Sequence, residues 1–238
     1  MTPLLELSSV IKNYQGLRPL RVTSLAIGAH DRVALTGVDQ IAAQVLADLI
    51  TGATLPDAGT VNVFGRTTAS LADAAEWLSL IDRIGIVSER AVLLPALTVI
   101  QNLAMPFSLD IEPPAPELRS RVEALAAEVG LPVETWDRPV GSLDTASHLR
   151  VRLGRALALD PALVLFEHPS ATLPREQAKP AAAVIRHVLT ARDVASLTLT
   201  ADHTYAVAVS DTVWTLDAAT GRVHENRRGW FGRRPWTQ

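Results

Sequence analysis

The apolar residues of the first third fall into short alternating runs separated by turn residues. Leu5 and Leu7 alternate with polar neighbours, and Val22-Thr23-Ser24-Leu25-Ala26-Ile27 does the same after Pro19. Period-two alternation of this length predicts strands with one buried face. Arg32-Val33-Ala34-Leu35-Thr36 is a compact apolar run stopped by Gly37, which reads as a strand covered on both sides. Behind it, Val45, Leu46, Leu49 and Ile50 recur at helical spacing until Gly52, so residues 32–51 read strand, turn, helix. Pro56-Asp57-Ala58-Gly59 is a tight-turn signal ahead of the alternating run Val61-Asn62-Val63-Phe64.

The middle is helical. After Leu97-Thr98-Val99, Ile100 to Leu103 runs towards a break at Pro113, Pro114 and Pro116. Glu117 to Val129 places Leu118, Val122, Leu125 and Val129 on one face, with Gly130 positioned to end the helix. A second helix is predicted from about Ala146 to Leu159, closed by Asp160-Pro161. The last third alternates again: a buried strand at Ala162–Phe166, a helix carrying Ala181–Ile185, a strand at Leu197–Thr200, a short helix at Tyr205–Val209 and a strand at Thr212–Leu216, closed by Gly221. Strands alternating with helices predict an α/β fold with a largely parallel sheet.

Composition narrows the function. The 238 residues suffice for one large α/β domain or two small ones, and 48% apolar content is ample for a core. The net charge of −3 argues against a dedicated nucleic-acid binder. The absence of cysteine excludes disulfides, thiolate metal sites and cysteine nucleophiles. The six histidines are scattered without metal-ligand spacing, and no Gly-x-Ser-x-Gly elbow supports a serine hydrolase. No apolar run reaches the roughly 18 residues that cross a bilayer, and the N-terminus lacks a signal-peptide core, so a cytoplasmic protein is expected. Lys12 and Lys179 are the only lysines; twenty of the 22 basic residues are arginine.

The ordered series of framework residues is more informative than any single motif. It runs Val33-Ala34-Leu35-Thr36-Gly37; Leu49-Ile50-Thr51-Gly52; Pro56 to Val61; Phe64-Gly65; Ile84-Gly85-Ile86-Val87; Leu94-Pro95; Leu97-Thr98-Val99; and Asn102-Leu103. It continues with Arg150-Val151, Leu153, Arg155 to Ala158 with Asp160-Pro161, Leu163-Val164-Leu165 with Pro169, Asp211 and Gly221-Arg222-Val223. In this order and spacing the chain resembles the ATP-binding subunit of an ABC transporter over residues 4–224. The resemblance implies a P-loop NTPase-like cassette: a mostly parallel central sheet, an antiparallel edge region and a small helical subdomain at about 98–159. Residues 1–224 would form the cassette and 225–238 a basic aromatic tail.

The same resemblance assigns roles that the residues present do not match. Tyr14 falls where the family stacks adenine. The phosphate loop reads Gly37-Val38-Asp39-Gln40-Ile41-Ala42-Ala43-Gln44, with Gln40 and Ala42 at glycine positions. Ala43 falls at the lysine position and Gln44 at that of the metal-binding hydroxyl. Neither lysine substitutes by spacing, and Asp39 adds a negative charge. Glu89 falls at the glutamine of the Q-loop, and the signature reads Leu143-Asp144-Thr145-Ala146-Ser147. Asp144 would place a carboxylate beside a polyanion. Glu167 falls at the metal-organising acid, His168 at the general base, Pro174 at the D-loop aspartate and Ala201 at the switch histidine. His203 should point away if the following helix starts at Asp202.

Charge-assisted contacts are worth roughly 1.5–3 kcal/mol each, whereas an exposed helix dipole gives only ~0.3–1. Millimolar ATP held by the dipole and a Tyr14 stack is compatible with this loop; tight Mg-ATP is not, and no cofactor or metal is expected. Because both the Walker residues and the signature depart, a homodimer would lack two working sites. The resemblance therefore implies a catalytically inactive subunit that scaffolds or regulates a transport complex. The alternative is a divergent ATPase with Glu167 as metal ligand and His168 as base.

Partners follow from the same comparison: an integral membrane permease, an intact ATP-binding subunit, and a dimer within a complex on the cytoplasmic membrane face. The region from Ile84 to Leu103 is where the family receives its permease. Leu97-Thr98-Val99, Asn102 and Met105-Pro106-Phe107 resemble subfamilies that handle lipids or lipoproteins. In the tail, Arg227, Arg228, Arg233 and Arg234 interleave with Trp230, Phe231 and Trp236. That composition fits a solvated tail, a partner-docking segment, contact with anionic lipid, or least well nucleic acid.

Overall fold

The computed structural model describes residues 2–71 and 73–225. The strands are β1 (Leu5–Lys12), β2 (Leu20–Ile27), β3 (Arg32–Thr36), β4 (Ala58–Val63), β5 (Arg66–Thr67), β6 (Ile84–Val87), β7 (Leu163–Glu167), β8 (Ala195–Leu199), β9 (Thr212–Leu216) and β10 (Val223–Glu225). The α-helices are α1 (Gln40–Ile50), α2 (Ala74–Ile81), α3 (Val99–Ala104), α4 (Pro116–Glu128), α5 (Thr145–Leu157), α6 (Arg175–Ala191) and α7 (His203–Val209). One sheet, ordered β2-β1-β4-β5, is antiparallel throughout. The other runs β10-β9-β3-β8-β7-β6; β6, β7, β8, β3 and β9 are parallel and β10 is antiparallel at one edge. This is the expected cassette architecture: a mostly parallel sheet, an antiparallel region and a helical layer.

Two cores hold the layers together. In the first, α1 sits between the sheets, with Leu46, Leu49 and Ile50 packed among Leu7, Val61, Leu35, Leu165 and Leu197. In the second, α3, α4 and α5 pack with α6 and α7 around Leu103, Leu125, Leu153, Phe166 and Ile185. β7 and β8 are buried at every position, Ser196, Thr198 and Glu167 included, because helices cover both faces. No helix among the described residues is long and apolar enough to cross a membrane.

Polar contacts position the helical layer. Asn102 is fully buried; its Oδ1 accepts from Leu94 N at 2.9 Å, and its Nδ2 donates to the carbonyls of Leu94, Leu97 and Thr98. Thr98 and Gln101 form a reciprocal capping box at the start of α3. Arg192 grips Glu128 of α4 with two nitrogens and gives a third to Asp160 Oδ1 and Leu157 O, both at 2.9 Å. That one guanidinium ties α4, the end of α5 and the end of α6. The turn at 56–59 is pinned by Asp57, which accepts from Asn13 N at 2.6 Å and Lys12 Nζ at 3.1 Å.

Several boundaries differ from the sequence reading. Helix α6 starts at Arg175, six residues before the apolar cluster, and contains Pro180. Burial of Ala178, Ala181, Ala182 and Ile185 holds it helical across the proline, which is why local propensity misplaces its start. Helix α5 ends at Leu157, two residues early, and α2 carries no sequence signal that was read. Strand β10 runs through Glu225, so the expected tail boundary at 224/225 falls inside a strand paired with β9. The tail residues Arg227, Arg228, Trp230, Phe231, Arg233, Arg234 and Trp236 lie outside the described residues.

Leu103 lies in the second core with no exposed surface. Leu103→Ala is expected to cost about 2–5 kcal/mol in urea unfolding, while Leu109→Ala, at an exposed position, should stay within about 0.5 kcal/mol.

Candidate functional site

Strand β3 delivers the chain to Gly37 at the carboxyl end of the sheet. Gly37 has φ +82°, and a Cβ there would stand 2.3 Å from Leu216 O, so the close approach of β9 requires glycine at this point. Two residues later Asp39 caps α1: its Oδ1 accepts from Ala42 N at 2.7 Å and its carbonyl from Ala43 N at 2.9 Å. The helix therefore starts at Gln40, one residue earlier than the pattern implies. Ala42 and Ala43 are buried in the core beneath it; Gln40 and Gln44 face solvent. Tyr14, Arg18, Arg21, Gly37, Asp39 and Ile41 are among the walls of a cleft of about 380 Å³. Partial burial, and then the Asp39 charge, push the Tyr14 phenol above its ordinary value.

The start of α5 repeats this arrangement. Leu143 precedes the helix, and Asp144 Oδ1 accepts from Ser147 N at 2.7 Å. Thr145 and Ala146 form the first turn and Ser147 is buried. The Ser147 hydrogen bonds hold the Asp144 carboxyl below its ordinary range, with Arg150 and His148 adding smaller effects. Both helix N-termini that the resemblance directs at phosphate carry a carboxylate of this chain.

Glu167 ends β7, the strand next to the β6 edge, at 8% exposure. Arg90 meets it with a two-pronged contact: Nε to Oε2 at 3.0 Å and Nη2 to Oε1. Ser88 Oγ donates to Oε2 at 3.0 Å, and Arg90 Nη1 reaches Asp48 Oδ1 on α1 at 3.1 Å. The Glu167 hydrogen bond raises the Arg90 guanidinium above its already high value. Next to it, His168 has φ +44°, its backbone N donates to Leu199 O at 2.8 Å, and its Nε2 is buried without a partner. An imidazole nitrogen closed off from solvent is poorly placed to take a proton from water.

The remaining predicted positions separate. Glu89 forms a two-pronged pair with Arg152 of α5, at 2.7 and 2.8 Å, and accepts from Thr172 at 3.3 Å. Ala201 is exposed just before α7, where Asp202 caps the helix through Tyr205 N at 3.0 Å. His203 is exposed at the first helical position. Sequence reasoning found Tyr14, Gly37 and Glu167 but missed Arg90, Ser88 and Asp48. Arg90 and Glu167 are 77 residues apart, and no local pattern links them. The Asp39 cap was legible, being an aspartate immediately before a helical apolar pattern.

Comparison with known proteins bears on this site. The model of a family described as ABC transporter matches residues 20–171, more than half of the chain.

The chain belongs to the ABC transporter family.

A lipoprotein-releasing system ATP-binding protein of Anaeromyxobacter dehalogenans is 33% identical over 189 residues, covering 78% of this chain and 79% of that one. One of the same description from Saccharophagus degradans is 28% identical over 221 residues, 91% and 96% of the two chains. A sulfate/thiosulfate import ATP-binding protein of Methylococcus capsulatus is 28% identical over 221 residues, 90% of this chain and 60% of that one. Among solved structures, cbiO1 of Clostridium perfringens, part of the ABC transporter complex cbiONQ, aligns with a TM-score of 0.78 at 18% identity over 94% of this chain and 88% of that one. The ABC cassette fold is thus shared, and this cassette places its own carboxylates at the starts of α1 and α5.

The Asp144 cap gives a pH-dependent test. Asp144 has its ordinary value, 3.8, when unfolded and a lower one when folded. Its contribution is therefore present above about pH 4 and is lost as pH falls through the folded value. Asp144→Ala should cost about 0.5–2 kcal/mol at neutral pH, and its gap to wild type should narrow as urea titrations are taken to acid through the lowered folded value.

Proposed function

We propose that this chain is an ABC-family subunit that hydrolyses no ATP and scaffolds or regulates a transport complex built on a membrane permease. The observation that carries the reading is the start of α1. Phosphate binding at a helix N-terminus needs free backbone N–H groups and an uncompensated dipole. Here Asp39 occupies the Ala42 N–H with a carboxylate of the chain itself. Ala43 offers no ammonium, Gln44 no hydroxyl, and the Glu167 carboxylate is already paired with Arg90. These residues do not fit Mg-ATP.

The permease would sit against the region from Ile84 to Leu103, on the cytoplasmic face of the membrane. Two clefts that share Ile81, Ile86 and Ala91 open there, of about 360 and 340 Å³. The first also exposes Met105, Pro106 and Leu159. Such an arrangement accommodates the apolar face of a short helix. A partner cassette, as in the dimeric relatives of known structure, would complete the complex. The names of matched relatives span lipoprotein release and sulfate/thiosulfate import; what they share is the family role, not one cargo.

A second reading has its own support. The matched relatives are named ATP-binding proteins, which favours a divergent ATPase.

Calorimetry and turnover assays on the full chain separate the two. The expected outcome is no saturable heat below about 1 mM Mg-ATP, equivalent to binding weaker than roughly −4 kcal/mol, and phosphate release at the buffer rate. Tight binding with turnover abolished by Glu167→Gln would establish the ATPase. Purification of the native complex in mild detergent should bring down a permease; recovery of the chain alone would remove the scaffolding role.

A further inference from the structure

The segment from Ser88 to Leu94 leaves the edge strand β6 and crosses the carboxyl end of the sheet towards α3. It has no helix or strand of its own. What holds it is side chains. Ser88 Oγ accepts from Arg90 N at 3.1 Å and donates to Glu167. Arg90 spans Glu167 and Asp48, Glu89 is gripped by Arg152, and Leu94 is held by Asn102. Arg90 is the centre of this set, because it alone joins the segment both to strand β7 and to α1.

We infer that Glu167 and Asp48 form a guanidinium seat, with Ser88 bracing the Glu167 carboxylate, that the chain's own Arg90 occupies it, and that this internal cation fixes the 88–94 segment without any bound ligand. The argument is one of charge and geometry. A carboxylate 8% exposed at the end of a buried strand demands a positive partner. A planar fork satisfies both oxygens at once, which a single ammonium does not. The third guanidinium nitrogen is used by Asp48, so the seat is matched on three sides. Ala91, the next residue, lies in the wall common to both permease-facing clefts. The cation that sets Glu167 therefore also sets the shape of that surface, and being covalently part of the chain it cannot dissociate. The inference deepens the proposed function and rests on that reading: it says what neutralises the Glu167 carboxylate in this chain.

Hydrogen exchange on the full chain, followed by mass spectrometry, tests it. In wild type, amides of residues 88–94 should exchange equally with Mg-ATP, with magnesium alone and with EDTA. Arg90→Ala should speed their exchange about tenfold or more, with the rest of the chain unchanged. Guanidinium chloride at about 10 mM should restore protection by refilling the seat, and sodium chloride at the same concentration should not. Arg90→Lys, which keeps the charge and loses the fork, should remain faster than wild type. If Arg90→Ala fails to fold, Asp48→Asn keeps the test: it removes one side of the seat and should loosen the same amides by a smaller factor. Unchanged exchange in Arg90→Ala or Asp48→Asn, equal rescue by sodium chloride, or tightening of the wild-type segment by magnesium would each overturn the inference. Hydrolysis of Mg-ATP by a wild type that still shows guanidinium rescue in Arg90→Ala would overturn the proposed function and leave the seat standing.

Discussion

A carboxylate at the end of a strand covered on both faces needs compensation from within reach, and the active end of this cassette is arranged around that need. Glu167 is carried there by β7, whose burial comes from helices on either side of the sheet. Once its side chain is fixed, Arg90 follows, and with Arg90 the whole segment between β6 and α3. Asp48 on α1 and Ser88 at the end of β6 complete the set. Removing one partner of such a pair leaves an uncompensated charge, an effect of about 3–5 kcal/mol in buried examples. Arg90 is partly exposed, so solvent moderates that figure here.

A second constraint is the requirement that first-turn N–H groups of helices find acceptors. At α1, α2, α5 and α7 the chain meets it with its own aspartates, Asp39, Asp73, Asp144 and Asp202. At α2 and α7 this is ordinary capping. At α1 and α5 the same device falls where the resemblance directs helix ends at phosphate, while α3 is capped by Thr98 and α4 and α6 carry no side-chain cap.

Much of the framework was legible because it depends on local pattern. Arg32 to Thr36 reads as a buried strand stopped by Gly37, the Thr212–Leu216 strand has the predicted bounds, and Val122 with Leu125 marks the buried face of α4. The start of α6 was not legible: tertiary burial of Ala178 and Ala181 outweighs the proline inside it. Within the site, the pairing of Glu89 with Arg152, 63 residues away, and of Arg90 with Glu167, 77 residues away, was not legible, because these contacts arise only when distant elements come together. Long-range ion pairs leave no periodic trace.

The clasp of Arg192 on Glu128, Asp160 and the Leu157 carbonyl has a consequence for how this molecule responds to its surroundings. Its cationic side is a guanidinium, as is that of the Arg90 and Arg152 pairs, and lysine takes no part in any of them. Guanidinium keeps its proton beyond about pH 12 and is not a target of lysine acetylation. The contacts that join the helices to one another and to the 88–94 segment are thus indifferent to alkalinity and to the commonest charge-erasing modification of basic residues.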